Sequence, residues 1–149
     1  MKYNFKPYPR KYPNGGHEAE RLASLNFLGV ERKPDNKPFW AGADVGVLQV
    51  KTQKASVCKG TDIRAHIEQD AAELYCYVLA DFTACYVMRP ETWALFVDRF
   101  AYITRDSSGP RGERGGSNGG GIKLKLLGES RAMRAWLEAN ALYNVEREV

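Results

Sequence analysis

The chain has 149 residues, a formal net charge of +4 and a pI near 9.0, a mild bias toward polyanionic partners. With 44% hydrophobic and 27% charged residues it has the composition of one globular domain with a single core, and no apolar run approaches the length of a membrane span. Cys58, Cys76 and Cys85 are odd in number and lack metal-ligand spacing, which argues against a disulfide scaffold and a zinc site; with no apolar signal core at the N-terminus, the expected compartment is the cytoplasm.

Residues 1–16 read as an extended arm punctuated by Pro7, Pro9, Pro13 and Gly15-Gly16. Lys2, Lys6, Arg10 and Lys11 are interleaved there with Tyr3, Phe5, Tyr8 and Tyr12. Cations among rings suit phosphates and stacked bases, so Lys6, Arg10 and Lys11 are candidate nucleic-acid contacts; a tail held by a few aromatic anchors explains the same pattern. The rest of the chain, residues 17–149, is expected to be one domain.

A first helix is predicted from His17 or Glu18 to Leu28, with Leu22, Leu25 and Leu28 on its apolar side and Gly29 as its stop. Val30 to Lys33 reads as a short strand, followed by a turn-rich stretch from Pro34 to Pro38. Phe39–Asp44 and Val47–Thr52 read as two strands around a turn at Val45-Gly46. A second helix should start near Thr61 or Asp62 and carry Ile63, Ile67, Ala71 and Leu74 on one face. Tyr75–Ala80 and Ala84–Met88 look like a hairpin. Pro90 opens a third helix with Trp93, Phe96, Val97 and Phe100 as its core stripe.

Tyr102–Arg105 and Ile122–Leu127 read as strands, and a last helix from about Glu129 to Ala141 should turn Met133, Trp136 and Leu137 inward. Between those strands lies a Gly/Arg-rich loop, residues 107–121, in which Arg111 and Arg114 are further candidate nucleic-acid contacts; a tolerated surface insertion accounts for it somewhat better. The loop has neither the ending of a Walker loop nor a dinucleotide fingerprint. Mixed strands and helices without regular βαβ alternation predict an α/β protein of α+β type: a central mixed sheet flanked by helices.

The segment from Ala43 to Thr52 carries the chemistry. Gln49 and Lys51 alternate with Leu48 and Val50, so a strand puts the amide and the ammonium on one face. A turn centred on Val45-Gly46 brings Asp44 to the same side, roughly 7–8 Å from Gln49 at the backbone. A divalent cation could then take the Asp44 carboxylate, the Gln49 carbonyl and the Val50 backbone oxygen. Its water could attack a phosphodiester, with Lys51 lowering the water's pKa or neutralising the phosphorane. Asp35 is the rival strand-side ligand. Glu18 and Glu20 in the first helix are candidates for a further acid, although the helix dipole alone favours acids there. Lys54 adds a cation just after the motif. His66, Asp70 and Glu73, spaced i, i+4 and i+7, could offer a metal-binding face but match a solvated helix face better. Cys58-Lys59 reads as an exposed turn or a substrate-side loop, and His17 has no visible catalytic partner.

The helix acid, the acid at a strand end, the Gln49-Val50-Lys51 tripeptide and the helix after it resemble the PD-(D/E)XK nucleases. This is the restriction-endonuclease-like superfamily that includes archaeal Holliday-junction resolvases and type IV restriction enzymes. The resemblance covers roughly residues 17–54, with the element order in looser agreement to about residue 88. It implies a restriction-endonuclease-like fold and a Mg²⁺- or Mn²⁺-dependent endonuclease acting on DNA. Within it, Asp44 and Gln49 are ligands, Lys51 is the catalytic lysine, and Glu20 or Glu18 is the helix acid. Two departures stand out: glutamine replaces the commoner acid at position 49, and Asp44 lies closer to it than is usual, which keeps Asp35 in play. The alternative expectation is an inactive binding module on the same fold, a nucleic-acid binder or a protein inhibitor of the kind carried by phages and mobile elements. A homodimer is suggested by analogy only, because a duplex has two strands.

Overall fold

The computed structural model describes residues 1–32, 47–105 and 121–142. The predicted strand Phe39–Asp44, its turn at Val45-Gly46, the Pro34–Pro38 stretch, and Asp35, Asp44, Arg111 and Arg114 lie outside the described residues, as does residue 33 at the end of the predicted Val30–Lys33 strand.

The architecture is α+β. A four-stranded mixed sheet runs in the order β1 (Lys2–Asn4), β5 (Ala84–Met88), β4 (Leu74–Val78), β2 (Leu48–Thr52). A three-stranded antiparallel sheet has the order β3 (Ser56–Lys59), β7 (Ile122–Leu126), β6 (Ala101–Arg105). In the first sheet β1 and β4 flank β5 antiparallel, and β2 runs parallel to β4. A parallel pair needs a crossover; here β3 and helix α2 (Ile63–Asp70) lie between β2 and β4 in the chain.

Among the described residues, four α-helices flank the sheets. α1 (Gly15–Ala23) starts where Asn14 accepts the His17 N–H at 3.0 Å, and continues as a π-helical turn, Ser24–Leu28, that Gly29 closes at φ +75°. α2 is capped by Asp62, which accepts from the Ala65 N–H. It ends earlier than the apolar spacing predicts, because Ala71 takes a left-handed conformation (φ 56°) and turns the chain toward β4. Glu73 is therefore not on the helix face with His66 and Asp70. α3 (Pro90–Phe100) begins with Pro90, and α4 (Arg131–Asn140) begins where Ser130 accepts the Met133 N–H.

Both faces of the mixed sheet are covered, which is why β4 and β5 are buried almost without alternation. One face packs Leu48, Val50, Cys76, Val78, Cys85 and Val87 against Leu22, Ala23 and Phe27 of the first helical segment. The other packs Tyr75, Tyr77, Tyr86 and Met88 against α3 and α4. The antiparallel sheet joins this second core through Val57, Cys58 and Leu126. A register shift between Ser56 and Cys58 lets Val57 and Cys58 both point inward, so Cys58 is a buried strand residue and not part of an exposed turn.

The N-terminal residues are anchored. β1 pairs with β5, the Phe5 N–H donates to the Thr83 carbonyl (2.9 Å), and the Lys6 N–H donates to the buried Asn26 side chain (2.7 Å). Aromatic contacts among Tyr3, Phe5 and Phe27 add to the docking.

Candidate functional site

β2 stands at one end of the described order of the mixed sheet, with its two faces sharply different in character. Leu48 and Val50 are buried toward α1; Gln49 and Lys51, half-buried, share the opposite face with their register partners Tyr75 and Tyr77. The alternation seen in the sequence thus brings Gln49 and Lys51 together. The Lys51 Nζ reaches the Ser56 carbonyl at 3.4 Å, which turns it over the start of β3. The Cys58 thiol lies close enough to feel the charges of Lys51, Asp62 and Asp70, and burial pushes its pKa up.

Beside this pair lies a polar file that crosses from α2 to β4. The Tyr75 hydroxyl donates to Asp70 Oδ2 (3.2 Å), and His66 Nε2 is 3.4 Å from the same oxygen. The Tyr75 ring stacks on Trp93 with centroids 5.1 Å apart and planes 6° from parallel. Burial first, then the Asp70 carboxylate, holds the Tyr75 hydroxyl far above the ordinary tyrosine range. His66 and Asp70 were visible in the sequence as an i, i+4 pair; Tyr75 as their neighbour was not, because the contact spans a helix-to-strand junction.

The two helix acids serve different ends. Glu18, 1% exposed, accepts from the Lys11 and Tyr12 N–H groups (3.2 and 2.9 Å) and from Arg21 Nη1 (3.1 Å). It clamps the arm onto α1. Glu20 accepts from Arg32 Nε at 2.9 Å. α1 lies on the Leu48/Val50 side of the sheet, so both acids belong to the layer across the sheet from Gln49 and Lys51.

Among the basic candidates, Lys6 and Lys11 are exposed, with the Lys11 ammonium 5.6 Å from the centre of the Tyr12 ring. Arg10 is engaged within the arm, donating to the Tyr12 and Pro13 carbonyls (both 2.9 Å) and lying over Phe82 at 5.0 Å. Lys54 is exposed in the β2–β3 turn at φ 59°.

Gln49 offers the neutral hard oxygen that Mg²⁺ or Mn²⁺ accepts. Among the described residues no group of three His, Cys, Asp or Glu is arranged to hold a metal. The carboxylates expected to share a cation with Gln49 are Asp44 and Asp35, outside those residues. No described helix is long and apolar enough to cross a membrane. No family model, curated protein or solved structure matches the chain.

Proposed function

We propose that the chain is a metal-dependent DNA endonuclease, or a nuclease-like DNA-processing protein, with a restriction-endonuclease-like fold. The observation that carries this reading is the face of β2. Gln49 and Lys51 project side by side from β2, at one end of the described strand order of a mixed sheet, after a helix that packs on the sheet's other face. A crossover containing α2 follows and returns parallel to β2. An amide oxygen and an ammonium two residues apart on one face of a half-buried strand suit a phosphodiester at a cation site.

In this reading Asp44, or Asp35 in its place, and Gln49 would hold the cation, whose chemistry there would be to activate a water. Lys51 neutralises charge that gathers on the phosphoryl oxygens and orients the scissile group. Of the two helix acids, Glu18 is committed to the arm and Glu20 to Arg32, so either would join the site only by leaving that partner. Lys6, Arg10, Lys11, Lys54, Arg111 and Arg114 would hold the DNA backbone. The test offers supercoiled, linear, branched and single-stranded DNA to the folded chain with Mg²⁺, Mn²⁺ or EDTA. Cutting that needs the metal supports the reading; no cutting on any of them sinks it.

A second reading is favoured by the position of the α1 acids across the sheet and by glutamine at position 49. It is a catalytically silent module on the same fold that binds nucleic acid or inhibits another protein. It predicts metal-independent binding without cleavage. Steep weakening with salt would mark a nucleic-acid partner.

A further inference from the structure

α3 buries Trp93, Ala94, Phe96, Val97 and Phe100 in the second core, yet its Leu95 is 54% exposed. One exposed leucine is ordinary. This one forms a ridge between two grooves. The groove on the α2 side holds about 420 Å³ and is lined by Ile67, Pro90 and Ala94, together with Arg64 and Glu91. The groove on the α4 side, of about 410 Å³, is bounded by Asp98, Arg99 and Trp136.

The charges along α3 are ordered about Leu95. Glu91 stands four residues before it and Arg99 four residues after, and both are exposed. Residues four apart on a helix lie along one ridge, so the ridge reads acid, leucine, base, with each charge about 6 Å along the axis from the leucine. Arg64 and Asp98, the other two charges on this face, satisfy each other through paired bonds of 2.7 and 3.2 Å that tie α2 to α3. Arg99 lies over the Phe100 ring at 5.9 Å, a contact that does not neutralise its charge.

An acid–leucine–base ridge is its own complement when it runs antiparallel to a copy of itself. A two-fold axis beside Leu95 sets Glu91 of each copy against Arg99 of the other. A parallel arrangement would set like charges together. Ridge-into-groove packing of the two α3 helices gives each leucine a place in the facing groove. Two acids and two arginines balance on this face in a chain of net charge +4, which suits a second copy better than a polyanion.

From this order of charges and grooves we propose that the exposed face of α3 is the interface of a two-fold homodimer. Leu95 of each copy enters the α2–α3 groove of the other, and the Glu91–Arg99 pairs fix the antiparallel direction. The interface is independent of whether the chain cuts DNA.

The test is sedimentation equilibrium of the full chain from about 1 to about 300 µM, with circular dichroism of every variant to record folding. The wild-type mass should rise from 16.8 kDa toward twice that value as concentration increases. Leu95→Glu, a change at an exposed position, should weaken association at least about a hundredfold. Glu91→Arg and Arg99→Glu should each weaken it about tenfold or more, because each sets like charges together twice. Mixed in equal amounts, these two variants should associate with each other, since every pair across the axis is then opposite in sign. Both still carry net positive charge, so overall attraction does not explain their pairing.

A wild type that stays monomeric over the whole range overturns the proposal. So does a folded Leu95→Glu that associates like wild type, which would place the contact elsewhere. If Leu95→Glu is monomeric but the mixed charge variants do not associate, the antiparallel pairing of Glu91 with Arg99 is wrong.

Discussion

The Tyr77 hydroxyl donates to Glu129 Oε2 at 3.1 Å, and the Ala80 N–H donates to the same oxygen at 2.8 Å. One carboxylate just before α4 thus fixes both the middle of β4 and the start of the β4–β5 turn. The relationship is repeated on that sheet face: Tyr75 donates to Asp70, and Tyr86 to Glu138 at 2.7 Å. Three adjacent tyrosines each tie the sheet to a carboxylate of a helix or its flank.

Glu129→Ala leaves the Tyr77 hydroxyl and the Ala80 N–H without their acceptor. We expect a loss of about 2–3 kcal/mol, against about 1 kcal/mol for Tyr77→Phe, which removes the donor and keeps the ring packed. Urea denaturation of both variants checks the ranking. Equal, negligible losses would contradict the role given to Glu129.

Alkaline pH should unfold the protein through the same tyrosines. Burial, seconded by the neighbouring carboxylate, raises the hydroxyl pKa of Tyr75 and Tyr77 well above the ordinary value near 10; burial and the hydrogen bond to Glu138 do so for Tyr86. A raised folded-state pKa means that their contribution is intact below about pH 10 and is lost as pH climbs through the folded values. Absorbance at 295 nm should show these three ionising only as the circular dichroism signal collapses. Titration of all eight tyrosines in one step, with the fold intact, would contradict this.

Glu18→Gln should loosen the N-terminal arm before it affects any chemistry. The buried carboxylate holds two arm N–H groups and Arg21. We expect about 2–3 kcal/mol of destabilisation and faster proteolysis near residues 7–13. An arm as resistant as in wild type would mean that β1 and Phe5 suffice to hold it.

The three thiols should be inert in the native state. Cys76 and Cys85 are wholly buried, and Cys58 nearly so. Desolvation raises the thiol pKa of Cys58 and of Cys85, where the adjacent Cys76 adds to the effect. A thiol-specific dye should therefore report at the rate of unfolding, and rapid native labelling would show that the hairpin opens on its own.

Much of the fold was legible in the sequence because its signals are local. Pro90, Asp62 and Gly29 mark helix boundaries by backbone chemistry, and the alternation of Gln49 and Lys51 with Leu48 and Val50 marks β2 and its faces. β3 was hidden because its register shift turns Val57 and Cys58 inward together and erases the period of two. The end of α2 was hidden because the apolar spacing continues past Ala71 while the backbone does not. At the candidate site, the pairing of Gln49 with Lys51 was readable. The separate duties of Glu18 and Glu20 were not, since they depend on an arm folding back over α1 and on the ion pair with Arg32.

The most direct measurement is DNA cleavage in Mg²⁺ by wild type and by Lys51→Ala, with melting temperatures recorded for both. Lys51 Nζ makes one long contact, to the Ser56 carbonyl, so the variant should fold with a loss of about 1 kcal/mol or less. We predict metal-dependent cutting by wild type and a loss of at least about a hundredfold in the variant. Cleavage by a folded Lys51→Ala at the wild-type rate would contradict the assignment of this strand face as the active site.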